Sequence, residues 1–456
     1  MTKLFGTDGI RGEAGKPPLD VQTVQAVGRS LAKHLAQRKD GAPRLVIGRD
    51  TRESGPWIEE ALVAGAREYG AEIHSAGIIT TPGIAFLART LPADAGVVIS
   101  ASHNPFEDNG IKVFEPSGRK LDDVMERHIE TDVAADQTKV GPPNESESDP
   151  SKLDRSVELR SRYFSYLTND VAQGLQLSAL KMVIDCANGA AYEIAPQLFT
   201  QLGASVVAIN DKPDGKNINR DCGSLHIEGL QQRVLAERAD LGVAFDGDAD
   251  RALFVDEAGK FVDGDATLWV LAKFLHARGE LSGDTVIATV MSNIGLEIAL
   301  KSQGIKLIRA DVGDKYVLEE LIKSGAALGG EQSGHIIFPK LSLAGDGMLT
   351  TLSLLRVMRE QELSLAELTN GMQRYPQLLV NVRVREKRPF GELPGVQTVA
   401  RQIENDLGDR GRLLLRYSGT EPLARIMIEG NDEQAIKAQA DLLADAIRRE
   451  LGSGQS

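Results

Sequence analysis

The chain has 456 residues, too many for one hydrophobic core, and the usual size of a domain predicts about three or four of them. Its 52 Lys and Arg residues against 65 Asp and Glu residues give a net charge of −13, which argues against nonspecific binding to nucleic acids or anionic membranes. Cys186 and Cys222 form neither a disulfide framework nor a zinc pattern, and the sequence shows neither an apolar signal region nor a membrane-spanning run, so we expect a cytoplasmic protein.

Helix-like and strand-like patterns alternate over roughly the first 150 residues, as a layered α/β fold requires. Asp20 is a predicted N-cap for a helix whose apolar residues recur at helical spacing. These residues are Val21, Val24, Val27, Leu31 and Leu35. A strand is predicted at 44–48, and the Ser-Gly-Pro run at 54–56 opens a helix to about Tyr69. The polar, Pro-containing stretch 132–152 is the predicted linker to the next unit.

Two further α/β units are predicted after this linker. Residues 181–210 are predicted to form a strand, a polar loop, a helix and a second strand. Residues 239–265 are predicted to form a strand, an acidic turn and a hairpin around 257–260, and the pattern of strand, loop, helix and strand recurs over 284–310. Because α/β sheets bind ligands outside the carboxyl ends of their strands, the loops of the three units are expected to converge on one cleft.

The C-terminal part has a different pattern, typical of a small α+β domain. Val380, Val382 and Val384 alternate, strands are predicted at 413–416 and 424–429, and the last helix has apolar residues from Ile436 to Leu451. The predicted fold class is therefore α/β, with three successive related α/β domains with mixed sheets plus a smaller C-terminal α+β domain, around a central cleft. The predicted domain bounds are 1–153, 154–254, 255–368 and 369–456.

An acidic turn at 245–251 places three carboxylates at alternate positions, Asp246, Asp248 and Asp250. Hard oxygen ligands suit Mg²⁺, although an acidic turn exposed to solvent is an alternative. The spacing also matches part of an EF-hand loop. That interpretation is rejected because Arg251 stands where the loop needs Gly, and because the flanking segments are predicted strands. Arg251 is better placed to orient the carboxylates or to bind an anion.

Three other loops carry polar residues suited to a phosphorylated sugar. The stretch 416–425 combines backbone N–H groups, hydroxyls and guanidinium groups, which can hold a phosphate, and a plain turn is the alternative. Its candidate residues are Arg416, Ser418, Gly419, Thr420 and Arg425. On the glycine-rich loop 329–336, Glu331 and Ser333 are candidates for sugar hydroxyls and His335 for proton transfer, although such a histidine is often merely exposed to solvent. The turn-rich segment 6–12 ends near Arg11.

The segment 97–105 begins as a buried strand and then turns at Pro105, which cannot donate to a sheet. Ser102 and His103 are expected to point to opposite faces, as neighbours on a strand do, which argues against a hydrolase pair. The sequence has neither a G-x-S-x-G elbow nor a G-x-x-x-x-G-K-[ST] loop. A serine that accepts a phosphoryl group beside a metal needs no triad, and Lys112 is a candidate cation for it unless it is a surface lysine.

Four of these stretches, in this order, resemble the α-D-phosphohexomutase superfamily. They are 101–105 (ASHNP), 246–251 (DGDADR), 330–335 (GEQSGH) and 416–422 (RYSGTEP). The likeness covers essentially the whole chain. Residues 4–12, 217–224, 312–319 and Gln332 are similar to the branch that acts on glucosamine phosphates, whereas mannose and glucose phosphate mutases tend to carry Met at the Gln332 position. Lys315, where Arg is expected, and Asn188, where His is common, depart from the pattern.

The resemblance implies a role for each candidate residue. Ser102 would be the phosphoserine, turned into the cleft and exposed for attack, and a phosphoserine oxygen would complete one Mg²⁺ site per chain with the three aspartates. The other implied catalytic residues are Arg11, His103, Lys112 and His335. The implied substrate-binding residues are Arg251, then Glu331 and Ser333 for the sugar, and Arg416, Ser418, Gly419, Thr420 and Arg425 for the phosphate that is not transferred.

The implied reaction converts glucosamine 6-phosphate into glucosamine 1-phosphate through a sugar 1,6-bisphosphate, which also serves as activator. The implied partner is a small sugar phosphate, with a homodimer expected at the level of the family and neither nucleic acid nor membrane involved. Three alternatives stay open at this point. They are the same chemistry on mannose or glucose phosphates, a non-catalytic sugar-phosphate-binding paralogue, and a magnesium-dependent phosphatase.

Overall fold

The computed structural model describes residues 3–6, 8–38, 41–136, 154–418 and 421–452. The chain divides into two compact units. The first comprises Met1–Val290 and Ile308–Thr369, and the second comprises Met291–Leu307 and Asn370–Ser456. The predicted phosphate-loop residues Gly419 and Thr420 lie outside the described residues, as does most of the predicted linker.

The first sheet of the first unit is built within residues 10–114. Its elements in chain order are β1 (Ile10–Glu13), α1 (Val21–Gln37), β2 (Arg44–Arg49), α2 (Gly55–Arg67), β3 (Glu72–Ile78), α3 (Thr81–Thr90), β4 (Ala95–Ile99) and β5 (Asp108–Phe114). The strand order is β1-β5-β4-β2-β3, with β3, β2 and β4 parallel and β5 and β1 antiparallel to their neighbours. As predicted, Asp20 caps α1, its side chain accepting the Thr23 N–H.

Helices cover both faces of this sheet, because alternate strand residues point to opposite sides. Val97 and Ile99 pack into a cluster with residues of α1 and α2, whereas Val98 packs with residues of α3 on the other face. A further helix, α4 (Asp123–Ala135), follows the sheet and is capped by Asp122. The linker prediction is therefore wrong for residues 132–135, which are helical, and its remainder from 137 to 152 lies outside the described residues.

The second sheet repeats the arrangement of the first. Its elements are α5 (Ser156–Ser165), β6 (Lys181–Asp185), α6 (Ile194–Gln201), β7 (Ser205–Ile209), α7 (Glu228–Glu237), β8 (Leu241–Phe245), β9 (Ala252–Asp256) and β10 (Phe261–Val262). The strand order is β10-β9-β8-β6-β7. β7, β6 and β8 are parallel, and β9 and β10 are antiparallel, so the predicted strand–helix–strand unit and hairpin are both present.

The third sheet has the order β12-β11-β13-β14. Its elements are α8 (Gly264–Ala277), β11 (Thr285–Thr289), α9 (Ile294–Ser302), β12 (Lys306–Ala310), α10 (Asp314–Ser324), β13 (Leu328–Gly330), β14 (Ile336–Ile337), α11 (Gly347–Gln361) and α12 (Leu365–Thr369). Each of the three sheets has one strand with a parallel neighbour on one side and an antiparallel neighbour on the other. These strands are β4, β8 and β13. The three sheets are thus versions of one α/β plan.

The second unit contains an antiparallel sheet of order β15-β17-β16 with two helices. Its elements are β15 (Gln377–Arg383), α13 (Pro394–Leu407), β16 (Arg412–Tyr417), β17 (Leu423–Glu429) and α14 (Glu433–Leu451). Its core includes Val382, Ile426, Ile436 and Ile447, which agrees with the predicted apolar pattern. Throughout the described residues, every helix is too short or too polar to cross a membrane.

Candidate active site

The candidate residues of the first unit lie on equivalent loops of its three sheets. Ser102 follows β4, Asp246 follows β8 directly, and Glu331 follows β13 directly. Loops at the carboxyl ends of strands are where α/β sheets place their ligand-binding residues. The repeated plan of the fold therefore explains why chemistry-bearing residues far apart in the sequence are presented by similar loops.

The turn that carries Ser102 has a strained backbone held by buried partners. Ser102 has a φ of 55°, a left-handed conformation that costs an L-residue roughly 1–2 kcal/mol. Its N–H donates to Ser100 Oγ at 2.9 Å, and its carbonyl oxygen accepts from Arg52 at 3.3 Å and from Asn219 at 2.9 Å. Arg52 is fully buried and is itself paired with Asp50. Such over-determined strain is typical of functional sites.

The turn directs the Ser102 side chain at a carboxylate. Ser102 Oγ donates to Asp246 Oδ2 at 2.6 Å and lies 3.3 Å from His103 Nδ1. The expectation that Ser102 and His103 point apart is wrong, because Ser102 has left the strand for a left-handed turn. The expectation that Ser102 is exposed is also wrong, since only 1% of it is exposed. Burial and the charges of Arg251 and Arg11 lower the pKa of His103 to about 4, so this imidazole is neutral at pH 7.

Three carboxylates converge beside Ser102. Oxygen atoms of Asp246, Asp248 and Asp250 lie within 4.8 Å of one another, and all three residues are buried. The loop reaches Ser102 closely because residue 247 is Gly: a Cβ there would lie 2.5 Å from the Ser102 carbonyl oxygen. Burial and the charges of Asp250 and Asp248 hold the pKa of Asp246 well above its usual value. The alternative of a solvent-exposed acidic turn is therefore wrong.

The donor set of this cluster fits a divalent cation. The Oδ1 atoms of Asp248 and Asp250 are buried and have no hydrogen-bond partner among the described residues. Buried carboxylate oxygens that lack donors and repel one another are stabilised by a hard cation. The three aspartates, with a further oxygen from a group at Ser102, are a suitable set for Mg²⁺.

Lys112 supplies a buried positive charge to the same cluster. Its Nζ lies 2.9 Å from Asp248 Oδ2, 3.1 Å from Asp8 Oδ2 and 3.4 Å from Asp250 Oδ2. Only 1% of the residue is exposed, so the alternative of a surface lysine is wrong. Burial disfavours the ammonium, but the surrounding carboxylates outweigh it and raise the pKa of Lys112 well above its usual value. The lysine is therefore a permanent cation against Asp248 and Asp250.

Two arginine side chains, Arg251 and Arg11, contact carboxylates of this centre. Arg251 Nε lies 3.7 Å from Asp250 Oδ1 and 3.9 Å from Asp246 Oδ2. Arg11 is paired with Asp8 and also donates to Asn104 Oδ1 at 3.4 Å. Both guanidinium groups are suited to hold an anion that enters between them and the carboxylates.

The loop after β13 brings His335 to the carboxylates and leaves Glu331 and Ser333 bonded to each other. Ser333 Oγ donates to Glu331 Oε2 at 3.1 Å. His335 is buried; its Nδ1 lies 3.6 Å from Asp250 Oδ1, and its Nε2 accepts the N–H of Gly345 at 3.1 Å. Burial lowers the pKa of His335, but nearby carboxylates, Asp250 first, raise it to about 9. His335 Nε2 also lies 3.7 Å from Asp314 Oδ2.

The second unit carries the predicted phosphate loop between β16 and β17. Arg416 and Arg425 are direct cross-strand partners, and Arg425 also pairs with Glu421 at 3.3 Å. Arg425 donates to Ser418 Oγ at 3.3 Å, and Lys387 donates to the Ser418 carbonyl oxygen at 2.6 Å. Two cations, Arg425 and Lys387, thus contact one serine of this loop.

Sequence reasoning missed several residues of these sites. Asp8 and Thr81 contact the centre directly: Asp8 pairs with Lys112, and Thr81 Oγ1 donates to Asp248 Oδ2 at 2.5 Å. Lys120, Asp314 and Lys387 were also missed. Asp8 lies within the stretch 6–12 and Asp314 within 312–319, so both residues belong to stretches already identified in the sequence. Thr81, Lys120 and Lys387 stand in segments without a distinctive pattern.

Comparison with known proteins identifies the family that has this architecture. The phosphoglucomutase/phosphomannomutase family descriptions match in chain order: alpha/beta/alpha domain I at residues 2–139, domain II at 161–259, domain III at 263–375 and the C-terminal domain at 379–446. The chain belongs to this family. The predicted α/β fold class and the resemblance to the α-D-phosphohexomutases are confirmed.

The family's amino-sugar members are similar over almost the whole chain. A phosphoglucosamine mutase of Solibacter usitatus (strain Ellin6076) is 51% identical over 451 residues, which are 98% of this chain and 99% of the relative. A phosphoglucosamine mutase of Koribacter versatilis (strain Ellin345) is 48% identical over 455 residues, 99% of this chain and 98% of the relative.

Solved structures of the family share the fold at lower identity. A phosphoglucomutase/phosphomannomutase family protein from Burkholderia thailandensis has a TM-score of 0.80 at 24% identity, covering 98% of both chains. The Aspergillus fumigatus N-acetylphosphoglucosamine mutase, solved in complex with GlcNAc-6P and magnesium, has a TM-score of 0.63 at 18% identity, covering 98% of this chain and 95% of that one.

Proposed function

We propose that this chain is a phosphoglucosamine mutase, an isomerase that interconverts glucosamine 6-phosphate and glucosamine 1-phosphate through phospho-Ser102. The observation that carries the proposal is the Ser102 hydroxyl, held on a strained turn 2.6 Å from Asp246, in an aspartate cluster that the buried Lys112 contacts through Asp248. The substrate is supported by the two relatives named phosphoglucosamine mutase, which are 51% and 48% identical. The product would feed the synthesis of UDP-N-acetylglucosamine and the cell wall.

The three aspartates and an oxygen of phospho-Ser102 would hold one Mg²⁺. An unphosphorylated Ser102 donates a hydrogen bond to Asp246, whereas a phosphoserine presents only acceptor oxygens there. A phosphoserine and Asp246 in contact would be two anions that need a cation between them. The buried Oδ1 atoms of Asp248 and Asp250, which have no hydrogen-bond partner among the described residues, can bind the same cation. Bound Mg²⁺ would supply neutralisation of the charge on the transferring phosphoryl group. The Aspergillus mutase structure, which contains magnesium, is consistent with this assignment.

The reaction would proceed by two phosphoryl transfers through Ser102. Phospho-Ser102 donates its phosphoryl group to O1 of glucosamine 6-phosphate, which gives the 1,6-bisphosphate. The intermediate turns over in the site and returns its 6-phosphoryl group to Ser102, which releases glucosamine 1-phosphate. Lys112 and Arg251, which lie against the aspartates, would hold the transferring oxygens, and positioning with electrostatic stabilisation is most of what this chemistry needs.

Other residues would bind the sugar and move its protons. Glu331 and Ser333 would exchange their mutual bond for bonds to sugar hydroxyls. His335 is the buried acid/base candidate, with Arg11 and His103 lining the reacting centre. In the second unit, Arg425 and its neighbours would hold the phosphate that is not transferred: Arg416, Ser418, Gly419 and Thr420. A loop of this kind must accept either end of the sugar bisphosphate.

The remaining family-level expectations are part of the proposal. The four domains would be bounded at 1–153, 154–254, 255–368 and 369–456, a sugar 1,6-bisphosphate would prime and activate the enzyme, and the chain would form a cytoplasmic homodimer. Neither nucleic acid nor membrane is expected as a partner.

Initial rates test the proposal. The substrates are glucosamine 6-phosphate, glucose 1-phosphate and mannose 1-phosphate, each with Mg²⁺ and a trace of sugar bisphosphate, with a Ser102→Ala variant as control. We expect a clear preference for glucosamine 6-phosphate that disappears in the control. A preference for glucose or mannose phosphates would overturn the substrate, and release of phosphate without isomer conversion would indicate a phosphatase instead.

A further inference from the structure

Lys120 stands at the centre of a chain of alternating charges that leads to the reacting residues. Its Nζ lies 2.5 Å from Asp8 Oδ1 and 2.5 Å from Asp314 Oδ2. The other oxygen of Asp8 lies 3.1 Å from Lys112, and Asp314 lies 3.7 Å from His335. Cations and carboxylates therefore alternate from Lys112 through Lys120 to His335, and each carboxylate is shared by two of these groups.

The backbone fixes Lys120 where it can serve both carboxylates. Residues 114–121 form a tight connection in which Phe114 pairs with Lys120 and the Leu121 N–H donates to the Val113 carbonyl oxygen. The side chain is 21% exposed, so a change of its head group does not leave a large internal cavity. Asp8 and Asp314 are far apart in the sequence, since Asp8 precedes β1 and Asp314 is the first residue of α10.

The electrostatics show what Lys120 does for its neighbours. Burial alone would raise the pKa of Asp8, but Lys112, Lys120 and Arg11 together hold that pKa well below its usual value. Likewise, burial disfavours the Lys120 ammonium, and the charges of Asp314 and Asp8 outweigh it and raise the pKa of Lys120. Without Lys120, Asp8 Oδ1 would lose its cation, and only Arg11 and Lys112, both on Oδ2, would hold the Asp8 side chain, so its position against Lys112 would be less fixed.

We propose that Lys120 is a positioning residue for phosphoryl transfer: by holding Asp8 and Asp314, it keeps Lys112 against Asp248 and Asp250 and keeps a carboxylate beside His335. This inference rests on the proposed mutase activity. Lys120 lies at least two contacts from Ser102, so it acts through its neighbours. Its effect is expected in the rate of the chemical step and not in the affinity for the sugar phosphate.

The test compares Lys120→Met with Lys120→Arg and with an exposed control, Lys323→Met, whose lysine is 76% exposed on α10. For each variant, kcat, KM, the thermal midpoint and the rate at which Ser102 gains a phosphoryl group from the sugar bisphosphate, followed by intact mass, are measured. Wild-type rates are measured first on the three sugar phosphates, and the best substrate is used for every variant. A wrong substrate assignment would therefore show in the wild-type rates, separately from any effect of the Lys120 variants.

We expect Lys120→Met to lower kcat and the rate of Ser102 phosphorylation by about 10- to 100-fold, the usual range for an outer partner of a metal site, with little change in KM. Lys120→Arg should recover most of the loss, and Lys323→Met should match the wild type. Because Asp314→Asn removes a charge that Lys120 balances, the double variant with Lys120→Met should lose less than the product of the two single losses.

Two results would overturn the proposal. One is a Lys120→Met enzyme with wild-type kcat and wild-type phosphorylation of Ser102. The other is a loss of rate that follows only a lowered thermal midpoint and that Lys120→Arg fails to recover, because a structural role alone would produce it.

Discussion

Removal of the buried cation Lys112 is expected to destabilise the protein strongly. In Lys112→Met the ammonium that lies 2.9 Å from Asp248, 3.1 Å from Asp8 and 3.4 Å from Asp250 is replaced by an apolar group of similar length. Three buried or half-buried carboxylates then lose their shared partner. Breaking a buried ion pair by removing one member typically costs about 3–5 kcal/mol. We expect a loss of that size in the free energy of unfolding.

Urea titrations with and without Mg²⁺ measure this loss and its cause. With EDTA, Lys112→Met should be less stable than the wild type by about 3–5 kcal/mol. Saturating Mg²⁺ should stabilise the variant more than it stabilises the wild type, because the cation then neutralises carboxylates that have lost their lysine. The matched control is Lys33→Met, whose lysine is 34% exposed beside Asp132 and should change stability by less than about 1 kcal/mol.

Either of two results would refute this reasoning. If Lys112→Met were as stable as the control in EDTA, the ammonium could not be balancing buried charge. If Mg²⁺ stabilised both proteins equally, the carboxylates that pair with Lys112 could not be those that bind the cation.

Further predictions concern the metal, the phosphate loop and one buried carboxyl group. Asp248→Asn should lower activity and apparent Mg²⁺ affinity together, measured by titration of rate and of bound metal; unchanged metal affinity would contradict the site. Arg425→Gln should raise KM by roughly 10- to 100-fold, the equivalent of one charge-assisted hydrogen bond, with a smaller change in kcat. Burial raises the pKa of Asp346 from 3.8 to about 6, so the stability that this carboxyl group contributes should fall by about 2.4 kcal/mol as pH rises from 4 to 7. Asp346→Asn should lack this fall in urea titrations at pH 4 and 7, and the same fall in both proteins would refute it.

The alternation of helices and strands was predictable because it is a local property of the sequence. The α1 spacing behind Asp20, the 181–210 unit and the hairpin near 257–260 each depend on residues within one element or its neighbour. The linker prediction erred at 132–135 because α4 buries only Met125 and Ile129, so its polar C-terminal turn resembles a loop in sequence.

The chemistry of the site was only partly predictable, because it depends on contacts between distant residues. The motifs identified Ser102 and the aspartates, but the burial of Lys112 depends on Asp8 and Asp248, which are 104 and 136 positions away. The left-handed turn at Ser102, which brings His103 beside it, is rare for serine and has no local signal. Lys120 stands in an ordinary turn, and only the fold shows that it joins Asp8 to Asp314.

The fate of a labelled phosphoryl group on Ser102 tests the central proposal most directly. Enzyme carrying ³²P on Ser102 is mixed with unlabelled glucosamine 6-phosphate and Mg²⁺, quenched at times shorter than one turnover, and separated into protein, bisphosphate and monophosphates. We expect the label to leave Ser102 at least as fast as kcat and to appear in the bisphosphate before it appears in the product. Label that stays on Ser102 through many turnovers would contradict the account.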